Sequence, residues 1–408
     1  MLNLLIDEIW LKAENYKYRL LLVVPYTIPD YSGSGINAFQ FARFLRREGE
    51  MTTLLTFNRN LKRKSREIID GVPIKRIPYF NRGILLKILS IFIIFPAYLM
   101  NIIKHDIILI YGAHVIGYQL IILCSKFLGK EIIFRSLMMD TDDLGSILYS
   151  KRGIRLQKNR SALDQISLYF AINPEFAEIY RKQVRVQQKV VVSPQGFDPE
   201  YFYPVTRDEQ KKIRVNHKID KSSFVILSVG FIIPRKGYNE IFEVLADLEF
   251  DFSYYIVGEH EFNKDHFLSE DAAEALMIKE YGLGLLGNKL HLEGGKKQLL
   301  DYYQMADVVI FNSSQEGISN ALLESMACGK PVLTRDIPGL KDYIIYHEQN
   351  GLLFNKGQEM GTLLDKLYKD PAFGEELGTR ATDYINSEAN FKIVWQRLLE
   401  GLYGNQKR

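Results

Sequence analysis

The sequence has few of the features that mark secreted proteins. Its 408 residues include only two cysteines, Cys124 and Cys328, which stand about two hundred positions apart in apolar helical contexts. This usage argues against a disulfide framework and indicates buried thiols in a reducing compartment. No signal peptide is evident at the start of the chain, where acidic residues come early and a small-residue cleavage site is missing. We therefore expect a cytoplasmic protein.

Metal-binding patterns and low-complexity tracts are missing as well. No spacing of His, Cys and Asp indicates a bound metal, and no Asp-x-Asp stands in a metal-binding setting. With 47% hydrophobic and 25% charged residues, the composition is that of a globular protein, and its length predicts two or three domains.

Long hydrophobic runs are limited to one segment, residues 88–103, which read ILSIFIIFPAYLMNII. The run is short for a bilayer span, which needs about 20 residues, and it is interrupted by Pro96 and flanked by Lys87 and Lys104. Three interpretations stay open. The segment is a buried helix, a helix lying in a membrane interface, or, least favoured, a transmembrane span.

Charge is unevenly distributed along the chain. Residues 1–200 contain 28 Lys and Arg against 18 Asp and Glu, a net +10, whereas residues 201–408 contain 24 against 31, a net −7. A basic half indicates an anionic partner surface. Because no basic motif interleaved with aromatic residues is present, the pattern favours acidic lipid over nucleic acid. Solvated charge with no partner is the alternative.

Strand and helix patterns alternate, and the alternation starts again midway. The first series begins with a strand at 18–26 and a helix at 36–49, and the second with a strand at 224–230 and a helix at 238–248. Alternation of this kind predicts an α/β fold with parallel, doubly wound sheets. A proline-punctuated connector at 197–205 lies between the series, so we place one domain at 1–198 and the next at 199–390.

The most specific pattern lies in the second series. Residues 316–333 read EGISNALLESMACGKPVL, with Glu316 and Glu324 eight positions apart. Strand patterns stand on both sides, at 307–314 and from 332, and Gly329 and Pro331 end the helix between them. The segment therefore predicts a strand, a loop, a helix and a strand, with one carboxylate in the loop and one in the helix.

Such an arrangement suits a particular ligand. The N–H groups and the positive dipole end at a helix start suit a phosphate. An ionised carboxylate instead makes strong hydrogen bonds with the hydroxyls of a polyol. Phosphate next to polyol indicates a nucleotide sugar.

This segment resembles the Glu-x7-Glu signature of the retaining glycosyltransferases of family 4, which have the GT-B fold. The family setting is EGxxNxxLEAMACGxPV, from which this chain departs at Ser325. The resemblance covers nearly the whole chain from about residue 18 and is strong after residue 190. It implies two Rossmann-like domains facing across a cleft, with the final segment 391–408 packing back on the first domain.

The resemblance also implies roles for the residues that match. Glu324 would bind the ribose hydroxyls of the nucleotide, and Glu316 would contact the transferred sugar near the reacting centre. Lys236, in SVGFIIPRKG, occupies the position of a lysine that holds the diphosphate. The family's arginine position holds Phe231 here. Arg235 is a candidate substitute, although we expect adjacent side chains to point in different directions.

Further donor contacts are predicted around the diphosphate. Ser319 would cap the helix, leaving the backbone N–H groups of its first turn for the phosphates. The family's glycine pair contacting the donor phosphate corresponds to GSG at 33–35, in the loop between the first strand and first helix. The predicted donor-binding residues, besides Glu324 and Arg235, are Gly33, Gly35, Gly294, Gly317, Ser319, Asn320, Ala321 and Leu322.

The first domain gives a weaker prediction. Many relatives carry a histidine where this chain has residues near Leu137. His114 and Asp142, each beyond a predicted strand end, are candidates for contacting or deprotonating the acceptor. A satisfied loop histidine and a solvated turn are the alternatives.

The resemblance therefore implies a retaining, metal-independent hexosyltransferase. It would need no cofactor, only a UDP- or GDP-sugar as donor and a lipid-linked or saccharide hydroxyl as acceptor, at the cytoplasmic face of an anionic membrane. Two alternatives remain: another GT-B enzyme, such as a sugar-nucleotide hydrolase or epimerase, and a non-catalytic membrane-associated subunit.

Overall fold

The computed structural model describes residues 17–29, 32–58, 63–79, 84–138, 146–147, 157–183, 189–220, 223–258 and 269–404. These residues form two compact units. The first contains the described residues up to Gly196 and from Val394 onward, and the second contains Phe197–Ile393. The predicted domain division, after residue 198, lies two residues from the structural one.

The first unit is built on an eight-stranded sheet. Near-continuous apolar strands such as Arg19–Val23, which reads RLLLV, are buried on both faces, as strands of parallel sheets are. The strands are ordered β3-β4-β2-β1-β5-β6-β7-β8, and all described neighbours are parallel except the β3–β4 pair. Their bounds are β1 Arg19–Val23, β2 Met51–Asn58, β3 Arg66–Ile69, β4 Val72–Pro78, β5 Ile107–Tyr111, β6 Glu131–Arg135, β7 Leu168–Ala171 and β8 Lys189–Val192.

Helices cover this sheet. They are α1 Gly33–Arg47, α2 Ile84–Ile102, α3 Tyr118–Phe127, α4 Gln157–Leu163 and α5 Pro174–Gln183. The apolar run at 88–103 lies in α2, which buries Ile94, Tyr98 and Ile102 against the core but exposes Phe92 and Met100. Over the residues described, no helix combines the length and the apolar character needed to cross a bilayer.

The start of α1 corrects one prediction. Residues 33–35 are its first turn, not a loop before it. The Ser32 hydroxyl caps the helix by accepting from the Gly35 N–H at 3.0 Å, which brings the helix start forward. Glycine at 35 allows close packing, because a Cβ there would lie 2.0 Å from the Tyr26 carbonyl oxygen.

His105, in the turn between α2 and β5, is a buried imidazole held in its neutral form. Its Nδ1 lies 2.7 Å from the Asn101 carbonyl, to which it must donate, and the Thr53 hydroxyl then donates to Nε2 at 3.1 Å. Burial lowers the pKa of His105 to about 4. The hydrogen bond to Asn101 acts in the opposite direction, and the nearby charges of Lys75 and Arg19 lower the pKa as burial does. In the unfolded chain the pKa of this imidazole is near its usual value, so the imidazole binds a proton at a higher pH than in the folded protein.

We therefore expect His105 to make the first unit acid-labile. Between pH 6.5 and 4 the unfolded state binds more protons, so the free energy of unfolding decreases as the pH is lowered, by about 3 kcal/mol in all. Urea unfolding at a series of pH values measures this loss. His105→Gln should flatten the curve between pH 4 and 6.5, and exposed His114→Gln should leave it unchanged. An equal slope in His105→Gln and the parent protein would contradict the assignment.

The second unit contains a six-stranded parallel sheet. Its strands are β9 Phe224–Val229, β10 Phe252–Val257, β11 Leu290–Gly294, β12 Val308–Phe311, β13 Val332–Arg335 and β14 Leu352–Phe354. The spatial order is β11-β10-β9-β12-β13-β14, with parallel neighbours throughout. The chain thus winds outward from β9 in one direction and then returns to the other side of β9. In such sheets, ligands bind at the carboxyl edge where the order reverses, here between β9 and β12.

The remaining helices complete the second unit and return to the first. They are α6 Arg207–Asn216, α7 Tyr238–Ala246, α8 Ser269–Leu286, α9 Leu300–Met305, α10 Asn320–Ala327, α11 Gly357–Lys369, α12 Pro371–Glu388 and α13 Phe391–Tyr403. From Val394 onward, α13 belongs to the first unit. There Trp395 packs edge-on against Tyr18, with ring centroids 5.6 Å apart, and the Leu402 carbonyl accepts from Lys189 Nζ. The last four residues of the predicted segment 391–408 lie outside the described residues.

Candidate active site

Two loops meet at the carboxyl edge of the second sheet, where its strand order reverses. The first follows β9 and contains a short 3-10 turn, Pro234–Lys236, before Gly237 leads into α7. The second follows β12 and leads into α10. The Ser314 N–H donates to the Arg235 carbonyl at 2.8 Å and joins the two loops. The residues that the sequence separates by about eighty positions are therefore neighbours.

Glu316 lies at the centre of this junction. Its Oε1 accepts from Lys236 Nζ at 2.5 Å and from Arg235 Nη1 at 2.7 Å. The side chains of Glu316 and Lys236 are only 14% and 13% exposed, and that of Arg235 is 32% exposed. The cluster of two cations and one carboxylate is therefore largely shielded from solvent and carries a net charge of +1.

The cluster keeps Glu316 ionised. Burial alone would raise the pKa of this carboxyl, but the charges and hydrogen bonds of Lys236 and Arg235 outweigh burial and hold its pKa below the usual value. The carboxylate can therefore accept hydrogen bonds at neutral pH, either from these cations or from a ligand's hydroxyl groups.

The two cations correct the expectation that adjacent side chains diverge. Arg235 and Lys236 reach the same oxygen of Glu316, because the tight 3-10 turn aims both toward the loop after β12. The same turn places Lys236 before Gly237 and so outside α7, not at the helix start. Arg235 also donates to the Gln315 carbonyl at 3.1 Å. Phe231 is half-buried in the same loop.

Glycines allow the strand ends to approach each other around this cluster. A Cβ at Gly258, after β10, would lie 2.0 Å from the Gly230 carbonyl oxygen, and one at Gly237 would lie 2.5 Å from that of Asn312. The Gly258 N–H donates to the carbonyl of Gly294, which ends β11, at 2.9 Å. The predicted donor residue Gly294 thus belongs to the same carboxyl edge. His291, in β11, is half-buried and stacks on Tyr255.

The start of α10 opens onto the same edge. Gly317 is buried, and Ser319 is the N-cap residue, but the predicted side-chain cap is wrong: its hydroxyl makes no cap hydrogen bond. Leu323 is the first residue whose N–H bonds to the helix, at the Ser319 carbonyl. The first turn, Asn320–Leu322, therefore directs its N–H groups out of the helix end, where an anion is favoured.

Glu324 lies one turn further along α10 and is 4% exposed. Its Oε2 accepts from the Tyr303 hydroxyl at 2.7 Å. Burial, and then the Glu324 charge, raise the pKa of Tyr303 well above its usual value, so this hydroxyl remains a donor. Tyr303 was not among the predicted residues. Nothing in α9, which reads LDYYQM, distinguishes it from its neighbour Tyr302.

A second network, also missed, holds the loops from behind. Asn312, directly after β12, donates to the Gly237 carbonyl at 2.8 Å and to Glu240 at 3.0 Å. Arg335, at the end of β13, donates to Asn312 Oδ1 at 2.8 Å and pairs with Glu240. Each of these polar residues follows or ends a buried strand or begins a helix, which is the pattern that could have revealed them.

The described candidates in the first unit follow two neighbouring parallel strands, β1 and β5. His114 is exposed in the turn after β5, Gly33 is exposed at the start of α1, and Gly35 is buried behind it. Asp142 lies outside the described residues. Within the ranges described, no group of three or more His, Cys, Asp or Glu is placed to hold a metal ion. The roles of these residues and the metal-independent reaction stay predictions.

The fold identifies the structural class of the protein. Among solved structures, the HepE protein of Anabaena, in complex with UDP and glucose, matches with a TM-score of 0.71 at 17% identity, over 94% of this chain and 99% of that one. The likeness confirms the predicted fold class, α/β with two Rossmann-like domains of the GT-B type.

Sequence comparison indicates a particular family. Residues 209–384 match the family model of the glycosyl transferases group 1. The capsular polysaccharide biosynthesis glycosyltransferase CapM of Staphylococcus aureus is 22% identical over 63% of this chain and 69% of its own length. A D-inositol 3-phosphate glycosyltransferase of Pseudarthrobacter chlorophenolicus is 28% identical over 51% of this chain, and the match spans about half of that relative, 48%.

Residues 209–384 are thus similar to the group 1 glycosyltransferases. The matched stretch, residues 209–384, contains Arg235, Lys236, Glu316 and Glu324, so the family model covers the whole acid–cation cluster. The prediction of an enzyme, a glycosyltransferase of the hexosyltransferase type, is supported by the same match and by the names of the relatives.

Proposed function

We propose that the protein is a retaining glycosyltransferase of family 4 that moves a hexose-type sugar from a UDP- or GDP-sugar to an acceptor hydroxyl without a metal ion. The observation that carries this proposal is the convergence of Lys236 and Arg235 on Glu316 beside the start of α10. One cluster then offers cations for a diphosphate and a carboxylate for sugar hydroxyls, as a nucleotide sugar requires.

The donor would be shared between the two carboxylates. The diphosphate would lie between Lys236, Arg235 and the N–H groups of the first turn of α10. Glu316, once its cations turn to the phosphates, would accept from hydroxyls of the transferred sugar. Glu324, already positioned by Tyr303, would accept from the ribose.

The chemical step then needs charge stabilisation at the leaving group. The bond from the sugar's anomeric carbon to the phosphate oxygen breaks, and the bond to the acceptor oxygen forms on the same face. The acceptor's proton passes to the departing phosphate oxygen, so the nucleoside diphosphate leaves protonated. Lys236 and Arg235 would offset the negative charge that grows on that phosphate, the role that a metal ion has elsewhere.

We infer a lipid-linked or saccharide acceptor that is reached at an anionic membrane from the cytoplasmic side. Two observations support this part of the proposal. The first half of the chain has a net charge of +10, and α2 in that half exposes apolar side chains. The names of relatives that act in capsular polysaccharide biosynthesis or on an undecaprenol-linked substrate agree with it.

A thermal-shift panel of nucleotides and nucleotide sugars tests the donor site. A ligand that binds the native state raises the melting temperature by mass action, and we expect UDP or GDP derivatives to do so while AMP does not. Release of nucleoside diphosphate should then depend on added acceptor. Release without acceptor would instead indicate a hydrolase or epimerase, and no stabilisation by any nucleotide would indicate a non-catalytic subunit.

Tyr303→Phe is expected to weaken nucleotide binding by about tenfold, equivalent to about 1.4 kcal/mol. Without the hydroxyl, Glu324 loses a charge-assisted hydrogen bond and its fixed rotamer, so the carboxylate must be ordered when the ribose binds. Titration calorimetry with the nucleotide that gives the largest thermal shift measures the change.

The matched control is Tyr254→Phe. Tyr254 is equally buried in the same unit, but its hydroxyl donates to Ser228 at 2.9 Å instead of to a carboxylate. Both variants should lose about 1 kcal/mol of stability, the value of a typical buried hydrogen bond. If both also bind the nucleotide as the parent protein does, Tyr303 is a core residue and does not position Glu324.

A further inference from the structure

The outer face of α2 is an apolar stripe. Its side chains at Ile94, Tyr98 and Ile102 are buried at helical spacing against the core. On the opposite side, the exposed large side chains also recur every three to five positions, at Phe92, 72% exposed, Phe95, Met100 and, just past the helix end, Ile103. Scattered exposed apolar residues are ordinary, but a continuous stripe marks a surface for interaction.

The neighbouring helix extends this stripe. α3 packs beside α2, where the Tyr98 hydroxyl donates to the carbonyl of Ile116 just before α3 begins. α3 buries Ile121 and Ile122 and exposes Leu123 and, at its end, Phe127, whose side chain is 90% exposed. We call the two exposed faces together the α2–α3 face. Its members are Phe92, Phe95, Met100, Ile103, Leu123 and Phe127.

Positive charges predominate around the α2–α3 face. Between residues 84 and 130 the sequence contains four lysines and a single acid, Asp106. Lys104 and Lys126 are exposed at the ends of the two helices. Asp106 is already paired with Arg19, at 2.6 Å. Apolar side chains beside unopposed lysines suit a surface that is apolar within and anionic outside, which is an acidic lipid bilayer.

We propose that the α2–α3 face is the membrane-docking surface of this protein, with Phe92 and Phe127 entering the acyl region and Lys104 and Lys126 contacting anionic headgroups. The inference deepens the proposed function by naming where an acceptor-bearing membrane would meet the chain. It does not depend on catalysis.

A second exposed apolar helix provides the contrast. α8, in the other unit, exposes Leu276, Met277 and Leu285, but exposed Glu274 and Glu280 lie among them. Negative charge at these positions opposes an anionic leaflet. Met277, 68% exposed, is therefore a matched control site for substitutions on the α2–α3 face.

Vesicle co-sedimentation of the 408-residue chain tests the proposal. We expect binding to phosphatidylcholine vesicles that contain phosphatidylglycerol, weaker binding without that anionic lipid, and weakening by salt. The double variant Phe92→Asp/Phe127→Asp should reduce binding by about a hundredfold, tenfold for each aromatic side chain. Lys104→Glu/Lys126→Glu should also reduce it, whereas Met277→Asp should bind as the parent protein does.

Other outcomes overturn the proposal. Equal binding by the Phe92→Asp/Phe127→Asp variant would place any membrane contact elsewhere. If the parent protein binds no vesicles and forms a dimer in sedimentation velocity that this variant dissociates, the face is a contact between two copies of the chain. Nucleotide binding is measured in parallel, so a variant that loses vesicles but keeps the nucleotide separates this inference from the proposed function.

Discussion

Lys236→Ala is expected to reduce kcat by about 100- to 1,000-fold, the range found when one preorganised donor to a developing negative charge is removed. Lys236 is nearly buried beside Glu316, so its ammonium is held in place before any donor arrives. In the proposed mechanism its interaction with the leaving diphosphate would strengthen as the glycosidic bond breaks, so its loss should affect kcat more than KM. Steady-state release of nucleoside diphosphate with saturating acceptor measures both constants.

Arg235→Ala is the matched control for Lys236→Ala. Both side chains bond to the same Glu316 oxygen, but Arg235 is more exposed and also bonded to the Gln315 carbonyl. Its charge is screened more effectively, and we expect a loss nearer tenfold. In either variant Glu316 keeps one cation, so both should fold. A Lys236→Ala enzyme that retains kcat within threefold of the parent value would exclude the lysine as the group that stabilises the leaving diphosphate.

The architecture of the second unit could be predicted from its sequence, because its strands are short apolar runs between turn residues. The run at 224–230 predicted the strand Phe224–Val229, and the restart of the pattern there predicted a second α/β unit. The first unit was harder. GSG at 33–35 indicated a loop, yet α1 begins at Gly33, where the Ser32 hydroxyl caps the helix.

The residues of the candidate site could be identified from the sequence, but the contacts between them could not. Glu316, Lys236 and Glu324 could be identified because each stands in a motif. The bond between Lys236 and Glu316 spans eighty positions and depends on β9 and β12 being adjacent in the sheet, which a motif does not encode. Tyr303 was missed for the same reason, since its partner Glu324 lies on another helix.

Glu316→Gln is expected to change binding and turnover in opposite directions. In the donor-free protein the carboxylate competes with any diphosphate for Lys236 and Arg235. Glutamine keeps the shape of the side chain but removes the negative charge, so UDP or GDP alone should bind about tenfold more tightly. A charge interaction across several ångströms at a partly buried site is large enough for that change.

Turnover by Glu316→Gln should nevertheless fall by about a hundredfold or more. The neutral amide is a weaker acceptor for the hydroxyls of the transferred sugar, and product diphosphate is held longer. Titration calorimetry with the free nucleotide and acceptor-dependent turnover give the two quantities on one protein sample. The control is Glu240→Gln, which removes a carboxylate from the network behind the loops without touching Lys236 and should not tighten nucleotide binding. If Glu316→Gln weakens both binding and turnover, Glu316 contributes to donor binding by keeping the two cations in position, and the idea that it competes with the diphosphate is wrong.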